Sequence, residues 1–230
     1  MLIIKIIDRI IDIILFIFFL LLFLIGIYTI YDTIKIYNKA SNDDLKMFKP
    51  VVTDNVVNWN MNDLSEDAIA WLTIDDTSID YPVMQGKDNS EYLNKDPYGE
   101  YSLAGSIFLD YRNAKDFSDD YSLIYGHHME HKYMFGALDA FTDKKYFNNH
   151  TTGTLIINNK IYNIKLFACL EADSSVSEIF VPSSAEDALE YTKQHAKIYN
   201  EINNTDKLLA LSTCKYPETT ERIILLGVIE

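Results

Sequence analysis

The chain has 230 residues, 48% of them hydrophobic and 23% charged, with 16 Tyr and 12 Phe, so it can bury enough apolar surface to order one catalytic-sized domain, and wholesale disorder is excluded. A formal charge of −14 excludes a nucleic-acid partner, because neutralising phosphates takes clustered Lys and Arg that are missing here. The two cysteines, Cys169 and Cys214, are too few for the disulfide framework of a small secreted domain; a 169–214 disulfide is allowed by count, but a domain of this size does not need one.

In chain order, residues 1–12 form a short tail. Ile13 to Tyr31 then supplies 19 residues without a charge, which as a helix span about 28 Å, the depth of a bilayer core. No small-x-small cleavage pattern follows, so the segment reads as a retained transmembrane anchor rather than a signal peptide. Lys5 and Arg9 precede it while Lys35, Lys39, Lys46 and Lys49 follow, so the positive-inside count does not favour an inside N-terminus. Residues 32–60 are polar and helix-tolerant up to Pro50, then carry Val51, Val52, Val56, Val57 and Trp59; they read as a stalk and docking segment. Leu64 to Leu72 predicts a short helix, capped by Asp63 or Ser65, with Leu64, Ala68, Ile69, Trp71 and Leu72 on its apolar side.

From there the period changes. Strand-like runs bounded by turn residues occupy 79–84, 106–109, 122–125, 154–157, 161–170, 208–213 and 222–229. Met134 to Phe141 predicts a short helix, and Ala185 to Glu201 a longer one with Ser183 or Ser184 as N-cap. The pattern is a mainly β barrel or sandwich with inserted helices.

Cys214 closes the run Leu208–Thr213 and precedes the turn-forming segment Lys215–Glu221, so its thiol falls where a strand meets a loop. A thiol attacks as thiolate and gains from a neighbouring cation or base; the other reading is a small buried hydrophobe. If 208–214 and 222–229 form a hairpin, Arg222 faces Cys214, where its planar fork can hold a carbonyl or oxyanion; otherwise it is a surface arginine paired with Glu218 or Glu221. Of the histidines at 127, 128, 131, 150 and 195, His127 directly ends an apolar run, after Gly126; His131, His150 and His195 sit in polar contexts suited to solvent. His127, His128 and His131 fit neither an HExxH helix nor a Cys/His zinc spacing. Cys169, among Leu166, Phe167, Ala168 and Leu170, reads as a packed core thiol.

Taken in order, three segments resemble the motifs of class B sortases, membrane-bound transpeptidases of Gram-positive bacteria: Leu211-Ser212-Thr213-Cys214, Tyr125-Gly126-His127 with Met129, and Arg222 eight residues after the cysteine. Framework segments join them: Trp71-Leu72, Ile79 to Val83, Asp88-Asn89, Tyr92-Leu93 and Gly105 to Asn113, so the resemblance covers roughly 61–230. The helix expected over 185–201 is similar to the one that separates class B from class A. Departures are Ala210, where the motif usually begins with Thr, Met84 where Val is common, and a 215–221 segment without the usual acidic-aromatic pattern.

The resemblance implies a closed eight-stranded barrel with flanking helices as a catalytic domain over 61–230. It also implies that the Cys214 thiolate attacks the Thr carbonyl of a C-terminal sorting signal on a surface protein to give a thioacyl enzyme. His127 would serve as acid and base, Arg222 would steady the oxyanion, and Ser212 and Thr213 would meet the substrate. A peptidoglycan crosspeptide amine would accept the acyl group. No metal or organic cofactor is called for, and the catalytic domain would lie outside the cell on its single anchor. Two rivals stay open on the residues alone: a membrane-tethered cysteine peptidase, and a non-catalytic wall-binding β-domain with Cys214 buried.

Overall fold

The computed structural model describes residues 2–230 apart from 42, 54, 55, 59, 60, 62, 182, 183, 204 and 216–218, so Trp59, Ser183 and Glu218 fall outside the described residues. The chain divides into a unit ending at Asn38 and a second from Lys39 to Glu230.

The first unit is helical: α1 runs Leu2–Ala40, 39 residues and on the order of 58 Å. It extends past 13–31 at both ends because charge-free length marks what a bilayer could cover, whereas helix propensity, with no proline to interrupt it, sets where the helix stops. Phe16, Phe19 and Phe23 are each more than 60% exposed, an apolar surface suited to lipid. By length and composition the helix can cross a membrane.

In the second unit a small hairpin, β1 (Val51–Thr53) with β2 (Val56–Asn58), follows a turn of 3-10 helix at Lys46–Phe48. Leu45, Phe48 and Val57 are buried in the main apolar cluster, so part of the 32–60 segment packs as core. The strands that follow are β3 (Ala68–Ile74), β4 (Asp80–Met84), β5 (Ile107–Leu109), β6 (Tyr121–Tyr125), β7 (Thr152–Ile157), β8 (Lys160–Asp173), β9 (Ile198–Tyr199), β10 (Leu208–Cys214) and β11 (Glu221–Ile229). Among the described residues they run in the order β11-β10-β6-β5-β4-β3-β7-β8, and β8 pairs back onto β11, which closes an eight-stranded barrel; β9 adds a short pairing on β8. Closure leaves these strands no free edge.

The helix expected at 64–72 is not there. Leu64 sits in a turn, its N–H on Met61 O at 3.0 Å, and β3 starts at Ala68 between β4 and β7. Ala70, Trp71 and Leu72 are buried in succession, so both faces of this strand are covered, and continuous burial over a short run mimics the apolar side of a helix. The 134–141 expectation is met by 3-10 turns at Phe135–Thr142, followed by α2 (Lys144–Asn149). α3 (Ser177–Phe180) was not legible, and α4 (Ala185–His195) stops before β9 rather than reaching 201; Ser184 caps it, accepting from Asp187 N at 3.2 Å. A second apolar cluster, with Ile179 of α3 and Ala188 of α4, covers the face of β6, β8, β10 and β11 that bears Leu123, Leu170, Ala210 and Ile224.

Candidate active site

Antiparallel pairing of β10 with β11 sets Cys214 directly opposite Arg222, as the hairpin expectation required. Lys215 N–H donates to Glu221 O at 2.9 Å, which makes the neighbouring 214/222 pair the narrow kind in which side chains approach most closely on one face. Leu209 and Leu211 enter the main core while Ala210 belongs to the second cluster, so Ser212 and Cys214 share the face opposite Leu211. Ser212 is 1% exposed, and its Oγ has no hydrogen-bond partner among the described residues. Arg222 Nη1 donates to Thr219 O at 2.7 Å and Glu221 O at 3.2 Å. The Glu221 carboxylate instead meets Lys215 at 3.3 Å, and Glu218 lies outside the described residues.

β6 runs parallel to β10, with Tyr125 opposite Ser212. Past that point Gly126 N–H donates to Ser212 O at 3.1 Å and Thr213 Oγ1 donates to Gly126 O at 2.9 Å. Two strand ends are thereby tied, and His127 and Cys214 emerge from them. Gly126 is needed because a Cβ there would stand 2.4 Å from Ile107 Cδ1 and 2.8 Å from the Phe135 ring. His127 Nε2 donates to Leu93 O at 2.7 Å, since a carbonyl can only accept.

Cys214, His127, Arg222, Ser212 and Thr213 all line one groove of about 530 Å³, whose apolar walls include Leu93, Phe108, Tyr125 and Phe180. Sequence reasoning placed Leu93, Phe108, Asp110 and Arg112 in framework segments and Tyr125 in the histidine motif without assigning them to the site, and it left Phe180 unmarked. Asp110, fully buried, receives Arg112 Nε at 2.8 Å and Nη2 at 2.7 Å, Asn89 Nδ2 at 2.8 Å and the Tyr125 hydroxyl at 3.1 Å. Burial works to raise its pKa, but the bonds from Arg112 and Asn89 outweigh it and hold the carboxyl below its ordinary value. Arg112 Nη2 also donates to Phe180 O at 2.7 Å, and the Tyr121 hydroxyl to Ile179 O at 2.8 Å, so α3 is pinned as a groove wall. An acid and a base two residues apart, after an apolar strand, were the available signal.

The remaining candidates lie elsewhere. Cys169 on β8 is fully buried, burial pushes its thiol up to about 12, and both cysteines are free. His128 bonds Asp139 at 2.7 Å, and His131 and His195 are exposed. His150, expected in solvent, is half-buried: its ring stacks on Tyr146 at 3.8 Å and its Nδ1 donates to Tyr146 O at 2.7 Å. Among the described residues no three His, Cys, Asp or Glu are grouped to hold a metal ion.

A thiol, an imidazole and a guanidinium line one groove at an end of a closed barrel, and these are the groups that acyl transfer through a cysteine calls for. The sortase-domain family profile matches residues 72–230, and the chain belongs to that family. It is 34% identical to Sortase B of Listeria monocytogenes over 202 residues, 81% of each chain. A Streptococcus pyogenes class B sortase involved in pilus biogenesis superposes with a TM-score of 0.68 at 43% identity, over 74% of this chain and 96% of that one. Sortase B of Staphylococcus aureus, solved in complex with substrate, gives 0.67 at 29% identity, over 74% of this chain and 82% of that one. The relatives are class B, and the chain is accordingly a cysteine transpeptidase of surface-protein sorting that works through a thioacyl enzyme.

Proposed function

We propose that Cys214 is the nucleophile of this transpeptidase, His127 its acid and base, and Arg222 the holder of the substrate carbonyl and its oxyanion. The observation that carries this reading is the pairing of Cys214 with Arg222 across β10 and β11, in the groove that His127 also lines. In acylation the Cys214 sulfur bonds to the Thr carbonyl carbon of the sorting signal and the scissile C–N bond breaks. The thiol proton passes through His127 to the leaving amine. In the second half an amine attacks the thioester, its proton returns through His127, and the Cys214 thiolate leaves as the new amide forms. Arg222, with a rigid fork that stays charged, offers its free donors to the oxygen in both steps. Ser212, with a buried hydroxyl that has no partner among the described residues, donates to the peptide, and Thr213, whose hydroxyl is held by Gly126, meets it along the groove.

The donors are surface proteins carrying a C-terminal sorting signal, and the acceptor is a peptidoglycan crosspeptide amine. The division of the chain that suits this task is a cytoplasmic tail over 1–12, a single-pass anchor over 13–31, a juxtamembrane segment over 32–60 that starts as a stalk and then packs Leu45, Phe48 and Val57 into the core, and an extracellular catalytic domain over 61–230. It is supported by the length and composition of α1.

The test uses the full chain in detergent micelles, a panel of sorting-signal peptides and intact-mass spectrometry. An adduct on Cys214 that is absent in Cys214→Ala and is cleared by diaminopimelate or triglycine into a ligated peptide supports the reading. Clearance by water with no ligation moves the chain to the peptidases, and no adduct with any peptide removes Cys214 from the mechanism.

A further inference from the structure

One ring nitrogen of His127 is already committed. Nε2 lies 2.7 Å from Leu93 O, and because a carbonyl has no proton to give, Nε2 carries the hydrogen in the neutral ring. Turning the ring over would place a C–H where that N–H now donates, so the hydrogen bond fixes the ring orientation as well as the tautomer.

The acceptor is itself held from both sides. Ser106 N–H donates to Tyr92 O at 3.0 Å, Ser102 N–H donates to Asn94 O at 3.0 Å, and Ser106 Oγ donates to Lys95 O at 2.7 Å, so the 102–106 turn grips the carbonyls on either side of Leu93 O, and the buried Ser106 supplies two of the three bonds. Beside it Gly105 sits at φ +61°, where a side chain is strained. A Cβ there would lie 2.6 Å from Leu93 O, 2.7 Å from Tyr92 O and 3.0 Å from His127 Cδ2. Glycine is therefore what lets the 102–106 turn press against both the imidazole and the carbonyl that orients it.

We propose that Gly105 and Ser106 are positioning residues for the transpeptidation: through the Leu93 carbonyl they hold the Nε2 proton of His127 in place and leave Nδ1 as the nitrogen that exchanges protons with substrate. The Cys214 thiol proton moves to Nδ1, making the imidazolium, and from Nδ1 to the leaving amine. Nδ1 then accepts a proton from the incoming amine and returns it to the thiolate, so the ring ends neutral with Nε2 still protonated. A ring free to tautomerise would spend part of its time with the wrong nitrogen protonated. The inference rests on His127 as acid and base, but its first readout does not.

The experiment is nitrogen-15 NMR of the full chain in detergent micelles with labelled histidine, the His127 signals being assigned by their loss in His127→Gln. In the neutral ring, Nε2–H is expected to exceed Nδ1–H by roughly ten to one. Gly105→Ala is expected to mix the tautomers and to lower kcat roughly 10- to 100-fold with KM little changed. Ser106→Ala, which loses only the bond to Lys95, is expected to do the same to a smaller degree, and it serves if Gly105→Ala does not fold. A neutral ring protonated mainly at Nδ1 overturns the proposal, as does a folded Gly105→Ala protein with unchanged tautomers and kcat. Turnover that survives His127→Gln would instead overturn the underlying role of His127, and it is seen separately.

Discussion

Cys169 and Cys214 are both free thiols paired with the same strand, and their surroundings are opposite. Cys169 pairs with Leu225 in the middle of β11, and Cys214 pairs with Arg222 near its start. At mid-barrel the thiol is sealed among apolar side chains and burial holds it protonated, with a pKa near 12. At the strand end the same group is half-exposed, beside a guanidinium and in a groove with an imidazole. Chemistry here follows position along a strand: the barrel middle excludes water and charge, and the barrel end admits substrate.

The contrast breaks first on the two alanine variants. Cys214→Ala should lower peptide ligation by roughly 10⁴-fold or more. Cys169→Ala should leave kcat within about twofold and cost about 1–2 kcal/mol of stability. Ligation followed by chromatography decides, and a folded Cys169→Ala protein without turnover would end the comparison. Alkylation sharpens it: with a thiol near 12, the thiolate of Cys169 at pH 8 is on the order of 10⁻⁴ of the population, so iodoacetamide should mark Cys214 in the folded chain and Cys169 only in denaturant. Peptide mapping reads the ratio.

Arg222→Lys keeps the charge but loses the fork, and kcat should fall by about 10²- to 10³-fold. Near-normal turnover would reduce Arg222 to a loop tie through Thr219 O. Arg112→Ala strands Asp110 as a buried, unpaired carboxylate; we expect a loss of about 3 kcal/mol in chemical denaturation, with KM raised as Phe180 loses its anchor.

The smallest effect is at Asp173. Hydrogen bonds from Ser175 and Thr220 hold its carboxyl at about 2, below an unfolded value near 4. Its contribution to stability is therefore complete above about pH 4 and is lost as pH falls toward 2. Hydrogen exchange at 173–175 and 219–221 should rise over that interval, while the amide of Cys169, in the barrel middle, stays protected.

Most strands were legible because each is a short apolar run between turn residues, and the thiol and arginine were legible because a hairpin puts residues eight apart in register. β3 was misread since burial on both faces erases the period of two. α3, four residues long, has no stripe to read. The groove walls were hidden for another reason: Asn89, Tyr125 and Phe180 meet around Asp110 and Arg112 from segments that local pattern cannot connect. The same holds for the Leu93 carbonyl, a backbone atom that every residue type supplies.

The parallel pairing of β6 with β10 also sets how far apart in the chain the groups of the groove lie. Gly126 and Thr213, joined by a side-chain bond, are 87 residues apart, and parallel neighbours cannot form through a local turn. Closing so long a loop comes late in folding, after hairpins such as β10 with β11 can exist. Cys214 and Arg222 are thus brought together by a local hairpin, whereas His127 reaches the same groove only through a long-range closure, so the three groups depend on two kinds of contact with very different loop-closure costs.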